Sequence, residues 1–196
     1  MRDMIELRGV VEACRRCPLG RTRTQPVFGA GDESADVVLI GEAPGRREDE
    51  SGVPFVGQAG KLLDKALEAV GLRREEIYIA NVLKCRPPEN RNPKREEIEA
   101  CRPFLEEQLA LIRPRVLVPM GNFALNLFTR KRVSISKAHG QRFSWSDRTV
   151  IPIYHPAAVL YNRSLETVLA EDFRRIVAFL ASGDEAEAEP EQMTLF

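Results

Sequence analysis

The sequence predicts an α/β protein, a three-layer α/β/α sandwich around a central, mainly parallel sheet of four strands. Two observations carry that expectation. Short apolar runs alternate with longer segments of helical period, which is the pattern of a parallel sheet covered on both faces. Glycine or polar punctuation follows each run, and in open parallel sheets ligands bind at the carboxyl ends of the strands.

The strand candidates, in order, are Val37–Ile40, Ile77–Val82, Arg115–Pro119 and Val150–Tyr154. Helical patterns cover Gly60–Val70, Pro93–Ile112, Asn122–Phe128 and Ser164–Leu180. Asn92 followed by Pro93 reads as an N-cap with proline in the first helical position. Gly41-Glu-Ala-Pro-Gly45 follows the first strand, and Asn81, Cys85 and Arg86 close the second. Gly121-Asn122 follows the third, and His155-Pro-Ala-Ala158 follows the fourth.

With 196 residues, 43% of them hydrophobic, the chain suits one domain with a substantial core, expected over residues 1–182. No apolar run approaches the ~20 residues of a membrane helix, and the first residues lack a signal-peptide apolar stretch. A cytoplasmic setting is expected, with its four cysteines reduced. The formal net charge of zero hides an asymmetry. Residues 183–196 form an acidic tail with Asp184, Glu185, Glu187, Glu189 and Glu191 and no Lys or Arg; the remainder holds 24 acidic against 29 basic residues. A mildly basic body fits a polyanionic partner, and an ordinary solvated surface equally.

The cysteines are Cys14-x2-Cys17, Cys85 and Cys101. Four thiols in one domain read as a metal site more readily than as two disulfides. Zinc and a 4Fe–4S cluster both accept four thiolates. Zinc sites usually present two close pairs, and the fifteen residues between Cys85 and Cys101 favour the cluster.

Gly41-Glu-Ala-Pro-Gly45 is a tight turn without the Gly-Lys-Ser/Thr ending of a P-loop, so triphosphate binding is not expected. Phe55, in Val53-Pro-Phe-Val-Gly57, is either a core residue or a stacking platform. Asn81 sits in an apolar strand, where its amide must find partners; it can match a nucleobase edge or serve a neighbouring loop. His155 stands at a strand end, whereas His139 reads as incidental. Lys84, Arg86, Arg91, Lys94 and Arg95 form either a phosphate-contacting patch or a solvated helix start.

Together, Gly41-Glu-Ala-Pro-Gly45, Pro54-Phe-Val-Gly57, Asn81-Val-Leu-Lys-Cys-Arg-Pro87, Cys101 and His155-Pro-Ala-Ala158 resemble the family 4 uracil-DNA glycosylases, the iron–sulfur members of their superfamily. The resemblance spans roughly residues 14 to 180 and implies the same sandwich fold. It implies one 4Fe–4S cluster on Cys14, Cys17, Cys85 and Cys101, and hydrolysis of uracil from single- and double-stranded DNA in base excision repair. A uracil flipped from the stack would rest on Phe55, pair with Asn81 and lie against Gly41, Glu42 and Ala43, with His155 donating to its O2. Ala43 occupies the position of the water-positioning aspartate of family 1, which leaves Glu42 as the candidate. Gly45 replaces the family 1 tyrosine that excludes thymine, which leaves Glu48. Leu160 is expected as a wedge in the DNA and Arg163 near a phosphate.

Gln192-Met-Thr-Leu195-Phe196 resembles a sliding-clamp-binding peptide, with Gln192, Leu195 and Phe196 as contacts. Competing classes are a non-catalytic iron–sulfur nucleic-acid-binding protein, an electron carrier, and a superfamily relative that traps its product covalently and carries a histidine-bearing basic loop, which Lys131–His139 matches poorly although His139 keeps that reading open.

Overall fold

In the computed structural model, residues 2–129 and 132–183 are described. The clamp-peptide residues Gln192, Leu195 and Phe196 lie outside them. The chain opens with α1 (Met4–Ala13), α2 (Leu19–Thr22), β1 (Ala30–Gly31) and β2 (Val37–Gly41). Next come α3 (Arg46–Ser51), α4 (Gln58–Glu68), β3 (Tyr78–Asn81), α5 (Arg95–Ile112) and β4 (Val116–Pro119). Then follow α6 (Gly121–Leu125), α7 (Ile135–Ala138), β5 (Phe143–Trp145), β6 (Arg148–Val150), α8 (Pro156–Tyr161) and α9 (Leu165–Ser182). No helix of the described residues is long and apolar enough to cross a membrane.

The sheet runs β1-β3-β2-β4-β6-β5. Its four inner strands are parallel. The expected four-stranded sheet is corrected to six, because β1 and β5 add antiparallel edges to β3 and β6. Both are two or three residues long, too short to leave a periodic signature in the sequence. The fourth strand also begins earlier than expected. Beyond Val150 the Ile151 and Ile153 N–H groups still reach the Leu117 and Pro119 carbonyls, and Ile153 bridges Met120, while Pro152 between them has no N–H for the outer side.

Successive side chains of a strand point to opposite faces, and the core follows that rule. Val38 and Ile40 pack with Met4, Leu7 and Val11 of α1 and Phe104, Leu105 and Leu109 of α5. Val37 and Leu39 pack with Leu63 and Leu67 of α4, Val159 of α8 and Phe173 and Ile176 of α9. Helices therefore cover both faces, and the polar strand ends collect along one rim.

One helix start lies outside the sequence reading and another differs from it. α1 begins at a capping box in which Asp3 accepts from the Glu6 N–H and Glu6 answers the Asp3 N–H. α5 is capped at Lys94 rather than Asn92. The buried Glu97 carboxylate accepts from the Lys94 N–H at 2.8 Å and from the Arg91 guanidinium, and that anchor sets the helix entry.

Candidate active site

The strand ends bring Gly41, Asn81 and Gly121 beside the loop carrying His155. Gly41 ends β2 in register with Asn81 at the end of β3. A Cβ on Gly41 would overlap Asn81 Oδ1 and come within 2.8 Å of the Phe55 ring, so glycine here makes room for both groups. The turn after Gly41 is zipped to the chain beyond β3. The Gly41 carbonyl accepts from the Val82 N–H at 2.9 Å, and the Glu42 carbonyl from the Leu83 N–H at 3.0 Å.

Phe55 is buried and takes the left-handed conformation, φ 54°. For a bulky residue that conformation costs about 1–3 kcal/mol and persists only when neighbours over-determine it. Here they do. Arg74 donates to the Pro54 and Phe55 carbonyls at 3.0 and 2.7 Å and is itself held by Asp64. Glu48 Oε1 accepts from the Val56 and Gly57 N–H groups, both at 2.9 Å. A side chain on Gly60 would run into the Phe55 carbonyl.

Asn81 is 2% exposed, and its Oδ1 has no hydrogen-bond partner among the described residues. A buried acceptor left unpaired costs roughly 1–3 kcal/mol, so this oxygen awaits a donor. His155 caps α8, and its Nδ1 accepts from the Ala157 N–H at 3.2 Å. That bond assigns the proton of the neutral ring to Nε2. Burial pushes its pKa down to about 4, so at neutral pH the ring is an uncharged donor. Its centroid lies 5.6 Å from that of Phe55.

These groups line one cleft of about 510 Å³, together with Glu42, Ala43, Gly45, Glu48, Arg91 and Tyr161. Burial also pushes the Glu42 carboxyl above the usual carboxylate range, which improves it as a proton acceptor near neutral pH.

At the rim, Leu160 is 47% and Tyr161 91% exposed. Tyr161 is a cleft residue that the sequence reading missed; its signal was an aromatic beside the Leu160 already singled out. Arg163 is exposed, and Arg86 donates to Asn90 at 2.7 Å. Lys84, expected in the phosphate-contacting patch, requires correction. It is 1% exposed and points inward, with Nζ on the Asn81 carbonyl and on Gln108. No phosphate reaches it. Its burial was not legible because the partner that seals its ammonium, Gln108, lies 24 residues further along the chain. His139 is not among the residues lining the cleft. It pairs instead with the buried Asp172 at 3.0 Å and packs on Tyr154.

The four cysteines carry no disulfide and all line a second, small void between α1, α2, the chain after β3 and α5. N–H groups point at three of the sulfurs: Arg16 to Cys14 at 3.5 Å, Arg23 to Cys85 at 3.1 Å and Lys84 to Cys101 at 3.2 Å. Burial pushes the Cys85 thiol up and the Cys101 thiol up to about 12.

Compared with known families, residues 28–181 match the model described as the uracil DNA glycosylase superfamily. The chain belongs to this superfamily. Among curated relatives, a type-4 uracil-DNA glycosylase of Archaeoglobus fulgidus is 49% identical, over 85% of this chain and 87% of that protein. A type-4 enzyme of Thermotoga maritima is 45% identical, over 87% and 91% of the two chains. A type-5 uracil-DNA glycosylase of Pyrobaculum aerophilum is more distant, 31% identical over 89% and 85%. At the level of fold, the crystal structure of wild-type Pedobacter heparinus SMUG2 superposes with a TM-score of 0.50 at 12% identity, covering 76% of this superfamily member and 77% of that chain.

Proposed function

We propose that this chain removes uracil from single- and double-stranded DNA, cutting the N-glycosidic bond and leaving an abasic site. The observation that carries the reading is the unpaired, buried Oδ1 of Asn81, facing a cleft shared with Phe55 and the Nε2–H of His155. Uracil N3–H donates to that oxygen, and the Asn81 NH2 donates to uracil O4. Cytosine offers an acceptor at N3 and a donor at N4, so both bonds invert and buried groups are left unpaired.

As the C1′–N1 bond breaks, its electron pair moves onto the base and accumulates at N1 and O2. The neutral His155 Nε2–H donates to O2, in a site where a fixed dipole acts through little water. Phe55, locked in its strained conformation, holds the ring flat. Water adds to C1′ and gives up a proton. Ala43 has no carboxylate for this, and Glu42 is the acceptor we assign. The products are the abasic sugar and uracil, which leaves as the N1 anion and takes its proton from solvent. Leu160 fills the vacated stack, and Arg86, Arg91 and Arg163 face phosphates.

The four thiols fit a metal–sulfur group: they line one void, burial opposes ionisation of Cys85 and Cys101, and a coordinated cation reverses that penalty. We assign Cys14, Cys17, Cys85 and Cys101, four thiols lining one void, to one 4Fe–4S cluster, which braces the loops it joins. We propose a cytoplasmic, nucleoid-associated monomer, a compartment in which thiols stay reduced.

The test is incubation with an oligonucleotide containing one uracil, followed by alkali, alongside a visible absorption spectrum. Strand cleavage at the uracil and a broad absorption of iron–sulfur charge transfer are expected. An intact strand overturns the catalytic reading in favour of a binding protein, and a colourless, iron-free protein overturns the cluster.

Glu48 holds the Phe55 loop through two N–H bonds. Glu48→Ala is expected to lower kcat/KM for uracil about ten-fold, the scale of lost buried hydrogen bonds, whereas Glu48→Gln retains an acceptor and most activity. Thymine release from a thymine–guanine mismatch is measured in both variants. Release rising in Glu48→Ala supports its role in excluding the methyl group; unchanged selectivity removes that role.

We further propose that residues 190–196 bind a sliding clamp through Gln192, Leu195 and Phe196, tethered by the acidic stretch. Deleting 190–196 is expected to abolish clamp binding in a pull-down and to leave excision from short oligonucleotides unchanged. Equal clamp binding by the truncated chain overturns this.

A further inference from the structure

Lys84 is a buried residue that links the cysteine-bearing segments to the backbone of Asn81. β1 pairs with β3 only at Tyr78 and Ile79, so the Asn81 carbonyl has no ladder partner on that side. Lys84 folds back and supplies one, with Nζ donating to the Asn81 carbonyl at 2.9 Å. The same ammonium donates to Gln108 Oε1 at 2.5 Å. Gln108 is itself fixed, donating from Nε2 to the Phe28 carbonyl at 2.9 Å and to the Tyr78 hydroxyl at 3.0 Å. At its other end, the Lys84 backbone N–H donates to Cys101 Sγ at 3.2 Å, and its carbonyl accepts from Val27 N–H at 2.8 Å.

Cys101 and Gln108 are seven residues apart on α5, two turns along one face. The helix therefore grips Lys84 twice, by a sulfur at its backbone and by an amide at its ammonium. A displacement of α5 at Cys101 moves Lys84 and, through Nζ, the peptide from which the Asn81 side chain projects. Every member of this chain of contacts is buried, where polar networks are rigid when complete and costly when broken.

We propose that Lys84 is a positioning residue that sets Asn81 for base recognition and couples that setting to the thiol site through Cys101 and Gln108. The proposal deepens the assignment of Asn81 as the uracil-reading amide and rests on it. The decisive variant is Lys84→Met, which keeps the length of the side chain and removes its donors. Single-turnover uracil release is expected to fall about ten-fold, the size of the effect when a buried carbonyl loses its partner, with KM for the DNA changed less than about two-fold, since no phosphate contact is lost.

A double-mutant cycle separates this role from general support. If Lys84 works through Asn81, adding Lys84→Met to Asn81→Ala costs almost nothing further; independent roles multiply. The Asn81 side-chain amide resonance in nitrogen-15 spectra provides a readout without turnover. It is expected to shift in Lys84→Met and to lose its response to added free uracil. Should Lys84→Met fail to fold, Gln108→Leu, which removes the link from Lys84 to α5 together with the Gln108 bonds to Phe28 and Tyr78 and leaves the Lys84 bond to the Asn81 carbonyl, is carried through the same cycle and spectra. A wild-type rate, a fully multiplicative cycle or an unmoved Asn81 resonance overturns the proposal. Wild-type uracil release and its loss in Asn81→Ala are measured first. Failure there strikes the reading of the cleft, whereas a normal cleft with a multiplicative cycle strikes Lys84 alone.

Discussion

His155→Ala is expected to lower kcat for uracil release by about 10²–10³-fold, the usual cost of one donor to a developing oxyanion, while KM changes little. The charge on uracil O2 exists only as the glycosidic bond breaks, so a donor aimed there lowers the barrier without tightening the ground state. The geometry makes His155 a neutral donor. Its Nδ1 is occupied by the Ala157 N–H, and burial holds its pKa near 4. His155→Gln, which keeps a donor on a flexible chain, is expected to recover part of the rate. A His155→Ala enzyme at full speed removes the imidazole from the mechanism.

The same shift predicts a pH dependence of stability. The folded value lies below the ordinary 6.5, so between the two the unfolded chain binds more protons at this residue. The contribution is present in full above about 6.5 and is lost as pH falls through about 4. Denaturation midpoints followed from pH 7 to 4 are expected to drop less steeply in His155→Ala than in the parent. Equal slopes show that the imidazole is not buried in its neutral form. The ring itself charges only near pH 4, so activity lost at higher pH reports protonation of Glu42, whose carboxyl burial raises.

Asn81→Ala is expected to lower kcat/KM for uracil about 10²–10³-fold and to erase most selectivity over cytosine. Two hydrogen bonds to the base edge disappear, each worth about 1–3 kcal/mol in a buried site, and such bonds are what allow strong rejection of the wrong base. Parallel single-turnover assays on uracil- and cytosine-containing strands check this. Selectivity retained at the parent level shows that discrimination resides elsewhere in the cleft. Removing an unpaired buried oxygen also leaves the unliganded protein no less stable, so a thermal melt distinguishes loss of recognition from loss of fold.

Much of the site was legible because its residues are exceptions to local rules. Asn81 interrupts an apolar strand, His155 is one of two histidines, and Gly41 ends a strand where a side chain is normal. Each exception falls at a strand end, and the parallel topology places all strand ends on one rim. Lys84 and Arg86 read alike in sequence, two basic residues after β3, yet one is sealed against Gln108 and the other reaches solvent. Tyr161 and Leu160 were separable only once the turn of α8 placed Tyr161 in the cleft lining. The short edges β1 and β5 carry too few residues for any periodicity.

By itself, the sequence determined the layer order, the inner strands, the four thiols and the polar residues of the cleft, because periodicity and side-chain chemistry are local properties. Tertiary structure alone decided which lysine is buried, which oxygen is left unpaired, and which tautomer and charge His155 holds. Those depend on desolvation and on hydrogen-bond partners distant in the chain, such as Gln108, 24 residues beyond Lys84, and distance along the chain says nothing of either.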